Sequence, residues 1–209
     1  VLMVETGEIP EDEPAPVQLS NKMPFASAEG ILESYGLPAR GEMDPTTPMS
    51  LFYVFFFGLM LSDAAYGLII FLACFILLRK FPKMGDGMKK SLTLFEYCGI
   101  STLIWGILFG GYFGDVVAVV SRTFFHHEIT IAPVWFAPLD NPMKMLIFSC
   151  VIGGVHLLIG MGVNAYLLLR DGKVLDAIES VFVWYAFLIG VVLLLFGGSL
   201  FDGAAGIGK

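Results

Sequence analysis

Four long apolar stretches partition the chain, at residues 51–78, 98–120, 145–169 and 181–200, each nearly free of charge. A helix needs ~20 such residues to cross about 30 Å of hydrocarbon, and each stretch is that long. In lipid every backbone polar group must find its partner internally, and a helix does this within one segment. The pattern therefore predicts an all-α fold, a polytopic transmembrane helical bundle of about five helices.

The first block, Met49 to Leu78, raises a geometric problem. As one straight helix of about 30 residues it would be ~45 Å long. Fitting that into ~30 Å of hydrocarbon needs a tilt of ~48°, beyond the usual range of about 0–40°. It would also bring Asp63 to the bilayer centre. Breaking the block at Ser62-Asp63 removes both difficulties and predicts two short helices, about 49–61 and 64–79, joined as a hairpin. The remaining helices are expected at about 91–120, 142–170 and 174–199, with 201–209 as a truncated loop.

The loops carry the orientation signal. Arg79, Lys80, Lys83, Lys89 and Lys90 crowd loop 79–90, and Arg170 and Lys173 flank the short loop 170–175, whereas loop 121–141 carries only Arg122. The positive-inside rule then puts the first two loops in the cytoplasm and the third outside. A hairpin at 49–79 keeps the amino-terminal segment cytoplasmic as well. That segment, residues 1–48, reads as the end of a cytoplasmic arm and a linker, largely extended. Residues 1–24 are acidic and proline-rich, 25–36 form a short amphipathic helix stopped by Gly36 and Pro38, and Ala39 to Pro48 link to the membrane.

Composition agrees: 56% hydrophobic and 15% charged residues, with mean hydropathy +0.79, against about 25% charged in soluble domains. The net charge of −7 derives largely from Glu5, Glu8, Glu11, Asp12 and Glu13 and is not a nucleic-acid signal. Cys74, Cys98 and Cys150 are isolated within apolar blocks and support neither disulfides nor a metal centre. No signal-peptide pattern opens the chain, and no Met does. It stops at Gly206-Ile207-Gly208-Lys209 just after an apolar block, so a piece of a longer chain is expected.

Several constellations bear on function. Cys98, Thr102, Gly106, Gly110 and Gly114 recur every fourth residue, a small-residue stripe that lets another helix approach closely. Gly153, His156, Gly160 and Asn164 fall on one face of helix 142–170. An imidazole and an amide near mid-membrane must face protein or water. A polar face lining an aqueous path and a plain interhelical hydrogen bond from His156 stand level as readings. Asp63 reads first as a helix cap, with exposure to a water-filled vestibule left open. Asp176 reads as a cap for the last helix. Glu179, a turn deeper, and Glu96 at equivalent depth on its own helix are candidates for attracting cations to a vestibule.

Two apparent motifs are rejected. Gly203 to Lys209 matches the start of a phosphate-binding loop but follows a membrane helix rather than a strand. His126-His127-Glu128 offers metal-type side chains, yet adjacent residues rarely converge on one ion. No cofactor or metal is expected.

The run Tyr35-Gly-Leu-Pro38, then Glu42, Met43, Asp44, Pro45 and Thr46, then Phe57, Gly58, Met60, Ser62, Asp63, Tyr66 and Gly67 resembles the entry to the membrane domain of V/A-type ATPase subunit a, also called subunit I. The likeness extends through Phe109 to Asp115 and His156. It implies a non-catalytic membrane stator subunit, contributing half-channels that carry protons or Na⁺ to a rotating proteolipid c/K ring. The implied partners are that ring, the peripheral- and central-stalk subunits and the lipid bilayer, with no nucleic acid. Ser62 and Ala65 stand where the family usually has glycines. The family's essential membrane arginine lies on a helix downstream of Lys209, and Arg79, Arg122 and Arg170 do not match it. The competing readings are a secondary transporter using Asp63, His156 and Asn164, disfavoured because no second interrupted block repeats the first, and a structural membrane scaffold.

Overall fold

The computed structural model describes residues 17–38, 43–114, 116–125, 131–191 and 193. The acidic stretch of residues 1–16, Glu42, Asp115, His126-His127-Glu128 and Gly203 to Lys209 lie outside the described residues. Among those described, helices account for all regular structure: a short 3₁₀ turn (Phe25–Ala28) leads into α1 (Glu29–Tyr35), followed by α2 (Thr46–Leu61), α3 (Ala64–Lys80), α4 (Asp86–Phe109), α5 (Val116–Phe125), α6 (Pro142–Arg170) and α7 (Val174–Val191). Three of these, α4, α6 and α7, are long and apolar enough to cross a membrane. The chain divides into two compact units, residues 1–142 and 143–209.

In the first unit α2 and α3 form the expected hairpin. Asp44 launches α2: its Oδ1 accepts from the Thr46 amide at 2.9 Å and from the Thr46 hydroxyl. Pro48 falls in the first turn, where its missing N–H is no loss. The helix ends at Ser62, which adopts φ 38° and ψ 39°. Asp63 is extended, and its Oδ1 accepts from the amides of Ala65 (2.9 Å) and Tyr66 (3.1 Å), capping α3. Two apolar helices are thus separated by two residues, one left-handed and one capping.

Helix α4 packs along this hairpin at backbone distance. A β-carbon on Gly67 would stand 2.4 Å from the Leu103 amide nitrogen, one on Gly99 2.7 Å from that of Phe71, and one on Gly106 2.0 Å from that of Ala64. On the α2 side a β-carbon at Gly58 would meet the Ser101 carbonyl carbon at 2.6 Å. Glycine is required at each by close approach rather than by torsion. The turn is also tied to the far end of α4, because the Ala64 amide donates to the Gly111 carbonyl at 2.8 Å.

The predicted helix 91–120 requires correction. Helix α4 starts at Asp86 and stops at Phe109, and the chain resumes as α5 only at Val116. Gly110 (φ 74°) and Gly114 (φ 61°) lie in the left-handed region, so they turn the chain instead of extending the stripe. Of the stripe, Cys98, Thr102 and Gly106 continue the buried face of α4 that begins at Leu94, with Gly99 beside them. The break is completed by the segment around Trp135 folding back: the Trp135 amide donates to the Leu108 carbonyl at 2.9 Å, and Trp135 and Phe136 pack on Phe109 with centroids 6.0 and 5.2 Å away.

The segment before α2 is held against the same helices. Ala28 joins Leu94 and Cys98 in a buried core, flanked by Ile31, Met49, Tyr53, Val54 and Phe57. Beside it Glu29, only 4% exposed, receives a hydrogen bond from Lys90 Nζ at 2.6 Å and another from the Asn21 amide at 2.9 Å. Asn21 also donates its side-chain amide to Asp44 Oδ2 at 2.6 Å. Burial would raise the Glu29 carboxyl, but the bonds from Lys90 and Asn21 outweigh it and hold the group below its ordinary value of 4.5. Asp44 is lowered for the same kind of reason, with Thr46 and Asn21 overriding its burial.

The second unit is a helical hairpin closed by Gly172 at φ 75°. The Lys173 amide donates to the Leu168 carbonyl at 2.9 Å. Further in, the Tyr185 hydroxyl donates to the Leu158 carbonyl. Residues Ile178–Phe182 of α7 make a π-type turn. No part of the apolar window of α6 is buried.

Three outcomes are expected for the detergent-solubilised chain, each read by thermal unfolding. Gly67→Leu or Gly106→Leu lowers stability by about 3 kcal/mol or more, since the side chain meets backbone that cannot move aside. Ser62→Gly raises it by about 1 kcal/mol by relieving the left-handed penalty. Glu29→Gln lowers it by about 1–3 kcal/mol at neutral pH. Because the folded carboxyl lies below 4.5, the wild-type advantage over the glutamine variant is full above that pH. It disappears as pH falls through the lowered folded value.

Candidate functional site

The residues singled out in the sequence do not converge on one centre. Asp63 sits in the hairpin turn against Gly106, half-buried, with Oδ1 committed to the two α3 amides. Glu96 is half-buried on α4, on the side within electrostatic reach of Cys74 of α3. It lies ten residues before Gly106, so ~15 Å of helix separates its level from that of the turn. The cap role of Asp63 is visible, and nothing groups it with Glu96.

In the second unit His156 and Asn164 both lie on exposed surface of α6, ~80° apart around the axis at 100° per residue. Glu179 is exposed within the π-type turn of α7. The Tyr185–Leu158 hydrogen bond sets the register of this hairpin. Counting six residues back from Tyr185 and six on from Leu158 brings Glu179 and Asn164 to a similar height, with His156 ~12 Å from Asn164 along the axis. Asp176 does not hold the cap position of α7: Lys173 does, and its side chain makes no cap hydrogen bond. Asp176 sits inside the first turn, where its charge still favours the positive end of the helix.

Among the family-type residues, Asp44 starts α2, Pro45 precedes its first turn, Gly58 and Gly67 are contact points with α4, and Tyr66 stacks edge-on against Phe113 at 4.8 Å. Glu42 lies outside the described residues. These roles are local and structural: a helix start, two close approaches and a ring contact. A partly polar recess of about 570 Å³ opens beside the hairpin turn, where Ser62, Gly110, Tyr112, Pro133, Leu139 and Asp140 contribute to its wall. No group of three or more His, Cys, Asp or Glu residues positioned for a metal occurs among the described residues.

Sequence reasoning missed Gly99, Gly111 and the Glu29–Lys90 pair. Gly99 lies next to the stripe rather than on its four-residue repeat, so only the crossing of α3 reveals it. Glu29 and Lys90 are 61 residues apart, and opposite charges at that separation carry no local signal.

No family model matches the chain. It is, however, similar to curated proteins over nearly all its length. The A-type ATP synthase subunit I of Thermococcus kodakarensis is 32% identical over 195 residues, covering 93% of this chain and 29% of that protein. That of Methanothermobacter thermautotrophicus is 33% identical over the same share of each. The V-type ATP synthase subunit I of Chlamydia pneumoniae is 27% identical over 54% of this chain and 18% of that protein. The chain thus spans about 29% of the length of the archaeal relatives it matches. The motifs at the helical hairpin and the long alignments point the same way: the chain belongs to the A/V-type ATP synthase subunit I family.

Proposed function

We propose that this chain forms the first part of the membrane portion of a rotary ATPase stator subunit, contributing to the half-channels through which protons or Na⁺ reach and leave a proteolipid ring. The single observation that carries this reading is the alignment of 93% of the chain with A-type ATP synthase subunit I. In this reading the chain is a non-catalytic part of an ATP-driven machine, bound to the ring and to peripheral- and central-stalk subunits. Its amino-terminal segment is cytoplasmic, on the side of loops 79–90 and 170–175.

The ion-path contribution falls to the second unit. Exposed His156 and Asn164 on α6 and exposed Glu179 on α7 put polar groups along two helices apolar enough to cross a membrane. In hydrocarbon such groups face protein or water. Glu179 and Asn164, at a similar height near the turn, suit the mouth of an aqueous path, and His156 a deeper station. Within the first unit, the recess beside Ser62 and Asp140 supplies room for water.

A second reading, a structural scaffold, is favoured by the first unit. There Asp63 is a cap, and the glycines bring backbones together. The two readings separate in the assembled complex. Glu179→Gln and His156→Ala, introduced into the complete subunit, are expected to slow ATP-driven acidification of vesicles about tenfold, corresponding to ~1.4 kcal/mol, with assembly intact on native gels. Undiminished acidification by both variants would leave this segment as scaffold.

A further inference from the structure

The turn between α3 and α4 gathers more cations than it has acids to balance them. Residues 79–90 hold Arg79, Lys80, Lys83, Lys89 and Lys90 against a single acid, Asp86, a local balance of five minus one, or +4, in a chain whose net charge is −7. Lys90 is committed to Glu29. Arg79 lies over the Phe75 ring at 4.5 Å. Lys80, Lys83 and Lys89 are exposed. Two large apolar side chains stand among them, Phe81 at 51% and Met88 at 61% exposure. Lys80, Phe81, Pro82, Lys83 and Met84 line a recess of about 590 Å³.

This mixture sits where two apolar helices end: α3 stops at Lys80, and the membrane-length helix α4 begins at Asp86. Long lysine stems can lie along an apolar layer while their ammonium groups reach outward. Phe81 and Met88 would meet the outer acyl region at the same level. A basic segment directly beside a membrane helix attracts anionic lipid headgroups. An acidic soluble partner would match the charges but would give no reason for exposed apolar side chains between them.

We propose that the α3–α4 turn is a binding site for an anionic phospholipid, with Lys80, Lys83 and Lys89 holding the phosphate and Phe81 and Met88 seated in the acyl layer. This requires only that the helices span a membrane, and does not depend on the ion path.

The test is binding of fluorescent phosphatidylglycerol, and of phosphatidylcholine as the neutral probe, to the full detergent-solubilised chain. Each lysine near the surface contributes ~5-fold in affinity. The triple variant K80Q/K83Q/K89Q is therefore expected to weaken phosphatidylglycerol binding by about 100-fold. The triple arginine variant K80R/K83R/K89R keeps it, as does K144Q/K173Q, which removes cations elsewhere. Equal affinity for the two lipids would overturn the proposal, as would unchanged binding by the glutamine triple or loss in the arginine triple. Full displacement by millimolar inorganic phosphate would overturn it in favour of a free-anion site. Lysine-dependent binding of a polyglutamate peptide, with lipid binding unaffected, would do so in favour of a protein partner. The readout needs no other subunit, so failure of the rotary reading leaves it intact, and the converse holds.

Discussion

Everything in the first unit depends on the approach of α4 to the α2–α3 hairpin at backbone distance. Gly67 and Gly99 face each other's helices, and Gly106 lies under the turn at Ala64. In lipid there is no hydrophobic force between helices, so association rests on close van der Waals contact and on hydrogen bonds. Removing β-carbons at the crossing points lets both operate. Once α4 is that close, the Ala64 amide reaches the Gly111 carbonyl and the turn is fastened to the end of α4.

That contact explains the polar groups around it. Ser62 accepts a left-handed backbone because the hairpin must reverse in two residues, and Asp63 supplies the amide acceptors that a new helix lacks. Thr102, fully buried, returns its hydroxyl to the Cys98 carbonyl at 2.8 Å. At the other end of α4, Glu29 is buried only because Lys90 and Asn21 bond to it. A carboxylate in an apolar setting without such partners would be strongly disfavoured. The second unit is built differently: a glycine turn, one tyrosine–carbonyl bond and an α6 that buries none of its apolar window. Its exposed apolar length is suited to lipid or to further helices.

Much of this was legible from one chain. Helix length against bilayer thickness was enough to place the break at Ser62-Asp63, because 1.5 Å per residue leaves little latitude. The all-helical class, the membrane setting and the capping role of Asp63 followed from composition and from the chemistry of a free helix end. The ordered motifs from Tyr35 to Gly67 were enough to indicate the family. The candidate ion-path residues were legible only as residue types on helix faces, since a face does not say what lies opposite.

What the sequence determined by itself was therefore local: which segments are apolar, where a helix can start and how far it can run. Only the tertiary structure decided that α4 ends at Phe109, that Gly110 and Gly114 are turns while Gly99 is a contact, and that Glu29 meets Lys90. The reason is physical. A four-residue repeat of small side chains is compatible with continuing a helix or with leaving it. The choice belongs to the packing of Trp135 and Phe136 onto Phe109, a contact between residues that periodicity cannot connect.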